Sequence, residues 1–393
     1  MNARRNVLFW LVLMWIFPWV AEALIIWSID PYHIFHETRW NKNLWFGSQS
    51  LLNLGQIETY LKPGDYDSVL LGSSHSMNFK GSDLAKAVGA KGVLKLCNGN
   101  QSMGMCQQWL NRSIASGHLK HVFIIMDAWC WLSLEKQDDA LETVKPYVAH
   151  PWLCLWNPKC LRSVPGFYII PRHWEITKNE RFHPWDHVDD IHNWFSQREK
   201  YFARWIQPKT LALTRKEVYN FEHYCITESS MTSLLVKNRM EPLLHVIRTH
   251  PSIQFHVMIA PNCWTVYRYI FRWLQRTLSP TQIYDAFFFG TRHLITTCAD
   301  LPNVKIYGWH DCAFVSNLAN SCDSDHYHPD INRYMAWCIE HDKHRLTKEN
   351  YDAYEARCVG NLRAFKILDS YPHRDTFDEL VAAEMPVTFN HEN

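Results

Sequence analysis

Short apolar runs alternate with helix-like stretches through the middle of the chain, and this alternation limits the fold more than any other feature. YDSVLLG (66–72), VLKLCN (93–98), HVFIIMD (121–127), IQFHVMIAP (253–261) and NVKIYGW (303–309) are short, apolar and flanked by turn residues, so they predict buried strands. Residues 82–88, 102–116, 232–249 and 265–278 predict the helices between them. Strands joined through helices take right-handed crossovers, which gives a mostly parallel sheet covered on both faces. Ligands of such sheets bind at the carboxyl ends of the strands. The polar clusters fall there: Gly72 to Ser76, Asn98 to Asn100, Asp127, Pro261-Asn262 and the residues after Trp309.

One segment breaks the alternation. Residues 129–231 far exceed the ~2–6 residues of an ordinary connection, which predicts an inserted lid or binding element. The insertion carries Trp129, Trp131, Trp152, Trp156, Trp174, Trp185, Trp194 and Trp205. These rings either stack on sugars or build the insertion's own small core.

At the N-terminus, Arg4 and Arg5 precede an apolar run from Val7 to Trp27 broken only by Pro18 and Glu22. That is about the ~20 residues of a membrane-spanning helix, and the arginines favour a cytoplasmic N-terminus with the remaining chain outside. A cleaved signal peptide is the rival, because Ala21-Glu22-Ala23 fits a small-x-small cleavage pattern. The run is longer than a signal core and continues past that pattern, which favours a retained anchor. Trp10, Trp15, Phe17 and Trp19 leave no polar face for an ordinary amphipathic helix. The expected organisation is an anchor or signal segment at 1–28, a connection at 29–64, an α/β domain at 65–345 and a charged tail at 346–393 that covers the domain's edge.

With 40 basic and 39 acidic side chains the chain lacks the charge of a nucleic-acid binder. All 12 cysteines follow the anchor, and no CxxC pair occurs, which disfavours a zinc ribbon or thioredoxin-type site. In an oxidising compartment an even number permits several disulfides, whose pairing sequence alone does not fix.

Two polar clusters carry candidate chemistry. Gly72-Ser73-Ser74-His75-Ser76 stands where a strand hands over to a helix, so Ser74 is either a nucleophile at the sheet edge or part of a helix cap. DSDHYHPDINRYMAWCI (323–339) offers Asp323 and His326, and again Asp325 and His328, each pair three residues apart. A hydroxyl nucleophile needs a base and a group that orients the base, and either pair supplies both. The cluster is also a candidate metal site, or a plain cap for the next helix.

A Gly-x-Ser after the first strand and a late Asp-x-x-His resemble the SGNH (GDSL-type) hydrolase superfamily. DPYHIF (30–35), the asparagine of LCNGNQSMG, the strand ending IIMDAW and DSDHYHPDINRY resemble, more narrowly, membrane-anchored SGNH-like proteins of bacterial cell-surface polysaccharide acylation. The resemblance covers roughly residues 30 to 340. It implies a three-layer α/β sandwich with a mostly parallel sheet, the N-terminal transmembrane helix and the aromatic-rich insertion. Its activity would be that of an extracytoplasmic serine O-acyl esterase or O-acyltransferase on a carbohydrate, without cofactor or metal. Partners would be a carbohydrate or acyl ester, the membrane and a membrane-bound acyl donor protein. Carried over by position, Ser74 is the nucleophile, His326 the base and Asp323 its orienting acid, with Asp325 and His328 as the alternative pair. Gly99 or Gly104 would give an oxyanion-hole amide. The third block departs from the family, because Asp127 stands where a donor asparagine is expected and an ionised carboxylate cannot donate. Asn98 or Asn262 would have to substitute. The departure leaves open a catalytically inactive carbohydrate-binding or scaffold protein on the same fold.

Overall fold

The computed structural model describes residues 2–30, 32, 34–36, 49–99, 101–127, 130, 144–157, 231–264, 280–317, 320–321 and 326–365. Helix α1 (Asn2–Ile29) contains a 20-residue stretch, Phe9–Ser28, long and apolar enough to cross a membrane. Its rings face outward, with Trp10 62% and Trp15 73% exposed. After α1 the buried Asp30 accepts hydrogen bonds from the amides of Ile34, Phe35 and His36 at 3.0, 2.8 and 2.9 Å, and His36 Nε2 donates to Trp27 O at 2.8 Å. The chain therefore leaves the apolar helix through a self-satisfied turn.

Helix α2 (Gln49–Gln56) and a π-helical turn (Ile57–Leu61) precede the sheet. Strands and helices then alternate: β1 (Ser68–Gly72), α3 (Gly81–Val88), β2 (Val93–Cys97), α4 (Met103–Ile114), β3 (His121–Met126), α5 (Lys145–Ala149), α6 (Met231–Thr249), β4 (Gln254–Ile259), α7 (Pro280–Cys298) and β5 (Val304–Gly308). Helix α8 (Pro329–Glu340), strand β6 (Arg345–Leu346) and helix α9 (Lys348–Ala364) complete the described chain. The sheet order is β2-β1-β3-β4-β5-β6, parallel throughout except for the antiparallel β6. β1 and β2 are buried along their whole length, which explains why they read as unbroken apolar runs. Helix α3 packs on α8, while α6 packs on both α4 and α7. The chain adds β2 on one side of β1 and then β3 on the other, so the strand order reverses between β1 and β3. The carboxyl ends of strands at such a reversal are where sheets of this kind bind ligands.

Three expectations need correction or lie beyond view. The predicted helix over 265–278 lies outside the described residues, and α7, which follows that range, was not expected from the sequence. α7 buries Tyr284, Phe287, Phe288, Thr291, Leu294, Ile295 and Cys298 at helical spacing, but its aromatic and β-branched residues are weak helix formers. In the described part of the tail, α9 packs on α7 and β6 and buries Tyr351, Tyr354, Cys358 and Leu362, a stripe hidden among charged neighbours. Of the insertion, only Cys130, residues 144–157 and Met231 are described; there the turn Pro151–Trp156 packs against α1 and exposes Trp152 and Trp156. Nine cysteines among the described residues are buried free thiols.

Candidate functional site

β1 ends at Gly72, where φ is +156° and an added Cβ would meet Ile125 Cβ and Ser76 Oγ at 3.0 Å each. Glycine therefore lets the chain turn sharply against β3. The next residues make one 3-10 turn, Ser74–Ser76, capped by Ser73, whose Oγ accepts from the amide of His75. Ser76 Oγ donates to Ser73 O and to Cys97 Sγ. The buried Lys95 of β2 donates through Nζ to Met77 O and Phe79 O at 3.1 Å each. Capping thus falls to Ser73, and Ser74 is held half-buried on a rigid turn.

His326 Nε2 lies 2.7 Å from Ser74 Oγ, although the two residues are 252 positions apart in the chain. With its proton on Nδ1, the imidazole accepts the Ser74 hydroxyl proton and leaves the oxygen able to attack an electrophile. Tyr327, which follows His326, forms a β-bridge with Ser321, and the next amide, His328 N, donates to Asn320 O at 2.9 Å. The ring of His328 caps α8, with Nδ1 accepting from Asp330 N at 3.1 Å. Asn332 of α8 donates from Nδ2 to His75 O at 3.1 Å, which ties the helix after His326 to the turn carrying Ser74. The two histidines of the 323–328 cluster are therefore engaged separately, one on Ser74 and one on the helix end. Asp323 and Asp325 lie outside the described residues.

A second network lies beneath this pair. His75 stacks under His326 with ring centroids 5.0 Å apart, and its Nδ1 donates to Asp127 Oδ2 at 3.0 Å. The same Oδ2 accepts the Ser73 hydroxyl, and Oδ1 accepts Cys130 N at 3.1 Å. Asn262 Nδ2 lies 2.7 Å from His75 Nε2, so the imidazole bridges Asp127, just past β3, and Asn262, three residues past β4. Burial pushes the Asp127 carboxyl up, but the His75 hydrogen bond and attraction, then the Ser73 hydroxyl and the Cys130 amide, outweigh it and hold the group below its ordinary value. Asp127 is therefore an ionised, fully buried acceptor that positions His75.

The remaining candidates take varied places. Asn262 is fully buried against His75. Asn98 is buried, with Oδ1 accepting from Asn53 at 2.5 Å and Nδ2 donating to Ser50 at 3.3 Å. Gly99 sits in an exposed turn, and Gly104 is the buried second residue of α4. Sequence reasoning gave no role to Ser73, His75 or Asn332. The only signal for them was the polarity of SSHS at a strand end and of an asparagine inside an apolar helix face. No family model, curated protein or solved structure matches the chain.

Proposed function

We propose that the protein is an extracytoplasmic serine O-acyl esterase or O-acyltransferase acting on a carbohydrate, with an SGNH-like three-layer domain held at the membrane by α1. The observation that carries this reading is the 2.7 Å Ser74–His326 contact at the reversal point of the sheet. The strand order and the two helix groupings support the SGNH-like fold. In the reaction, Ser74 Oγ attacks the acyl carbonyl while His326 takes its proton, with Asp323 as the orienting acid. His326 then gives the proton to the departing alcohol, and water or a sugar hydroxyl releases the acyl group from Ser74. Asp127 being an acceptor, oxyanion stabilisation falls to backbone amides at the carboxyl edge, those of Gly99 or Gly104 among them. The insertion would exclude water when the acceptor is a sugar, and a membrane-bound protein would deliver the acyl group.

The test is ester turnover by the full chain in detergent micelles, on p-nitrophenyl acetate and on an O-acetylated oligosaccharide. Ser74→Ala and His326→Ala should each lower turnover by ~10³-fold or more. Full activity in Ser74→Ala would remove the proposal. Asp127, an acceptor where the family expects a donor, favours a second reading as a non-catalytic carbohydrate-binding protein. That reading requires oligosaccharide binding without turnover, unchanged by Ser74→Ala.

A further inference from the structure

We propose that Asp311, Cys312 and His344 form a second site, which binds a thiophilic divalent cation of the zinc class. The site lies beyond the carboxyl end of β5, three strands across the sheet from β1, and is independent of the Ser74 reading. One donor atom from each residue lies within 4.8 Å of the others. Cys312 Sγ is 3.8 Å from Asp311 Oδ1 and 3.8 Å from His344 Nδ1. Around tetrahedral zinc, bonds of about 2.3 Å to sulfur and about 2.0–2.2 Å to nitrogen or oxygen place such donor pairs about 3.6 Å apart. The two sulfur pairs therefore stand within a few tenths of an ångström of that spacing, and the carboxylate–imidazole pair lies within 4.8 Å. One thiolate, one imidazole and one carboxylate form a ligand set suited to zinc or cobalt, with water in the fourth position.

Each ligand is oriented by a neighbour. Arg357 Nε and Nη2 hold Asp311 Oδ2 at 3.0 and 2.8 Å, leaving Oδ1 as the oxygen facing Cys312. Asn361 Nδ2 donates to Asp311 O at 3.0 Å and fixes the backbone of the same loop. His344 Nε2 lies 2.8 Å from the Tyr334 hydroxyl, so with Nδ1 on the metal the other ring nitrogen donates to a defined partner, as metal-bound imidazoles do. His344 has φ +54°, in the left-handed region, within the turn from α8 to β6, and Gly308 N donates to its carbonyl at 3.1 Å. The backbone thus holds an unfavourable conformation that aims the ring at Cys312. A bound ion would join the loop after β5 to the turn before β6 and lock the antiparallel edge of the sheet. Arg357 opposes the ion's charge, so the affinity should fall below that of a site built from several thiolates.

The experiment strips the full chain of metal with a chelator under reducing conditions in detergent, then titrates it with cobalt(II). The expected result is one equivalent bound, with a thiolate-to-cobalt charge-transfer band in the near ultraviolet and intense visible bands of tetrahedral cobalt, both abolished by zinc. Cys312→Ser should lose the charge-transfer band, and the near-isosteric His344→Gln should weaken binding at least tenfold. Cys298→Ser, which removes a buried thiol elsewhere, should leave both signals intact. A folded wild-type protein without the charge-transfer band overturns the proposal, as does a band that survives Cys312→Ser.

Discussion

Replacing Asp127 by asparagine exchanges one atom of a fully buried carboxylate and leaves its volume almost unchanged. The native Oδ2 accepts the Ser73 hydroxyl and His75 Nδ1, the latter at 3.0 Å, while Oδ1 accepts Cys130 N at 3.1 Å. An asparagine keeps the Cys130 bond through its oxygen but sets an amino group against the other two donors. His75 can recover one bond by moving its proton to Nε2, which then meets the Asn262 amide nitrogen now 2.7 Å away and forces that amide to turn. The net loss is one charge-assisted hydrogen bond and part of a second, about 2–4 kcal/mol, which overlaps the lower end of the about 3–5 kcal/mol for breaking a buried ion pair. Denaturant unfolding of the full chain, followed by tryptophan fluorescence, measures it. The pH dependence gives a second check. The folded carboxyl lies below the ordinary value of 3.8, so its stabilisation is complete above that value and is lost as pH falls through the lower folded one. The gap between wild type and variant should be full at pH 7 and shrink below about pH 4. A gap under about 0.5 kcal/mol at pH 7, or one that persists on acidification, would refute the reasoning.

Gly72→Ala should cost about 1–3 kcal/mol, because its Cβ would press on Ile125 and Ser76 at 3.0 Å, and the same unfolding assay reads the loss. His328→Ala removes the ring that caps α8 and should cost about 1 kcal/mol while leaving Ser74 reactivity intact. A loss of reactivity equal to that of His326→Ala would reassign the base. The full chain should float with lipid vesicles after alkaline washing, and removal of residues 1–28 should abolish flotation; a full chain that stays in the wash would count against the anchor.

The strands were legible because buried parallel strands are continuous apolar runs, and β1 to β5 coincide with the runs read from the sequence to within a few residues. Their spatial order was not, since nothing local records that β3 joins β1 on the side away from β2. β6 has two residues, too few to show any period, and α9 hides its apolar stripe among charges. At the site, a glycine followed by serines marked the turn. The division of labour within SSHS was illegible because tertiary partners set it: Asp127 and Asn262 draw His75 inward, and Ser73 takes the cap. The approach of His326 to Ser74 depends on α8 packing against α3.

The most direct test of the central claim is covalent labelling of the folded full chain with a fluorophosphonate probe, read by intact mass and by mapping the modified residue. The account expects one probe per chain, attached at Ser74, and no labelling of Ser74→Ala or His326→Ala. Folded wild-type protein that takes no probe, or carries it on another serine, would contradict an activated Ser74–His326 pair.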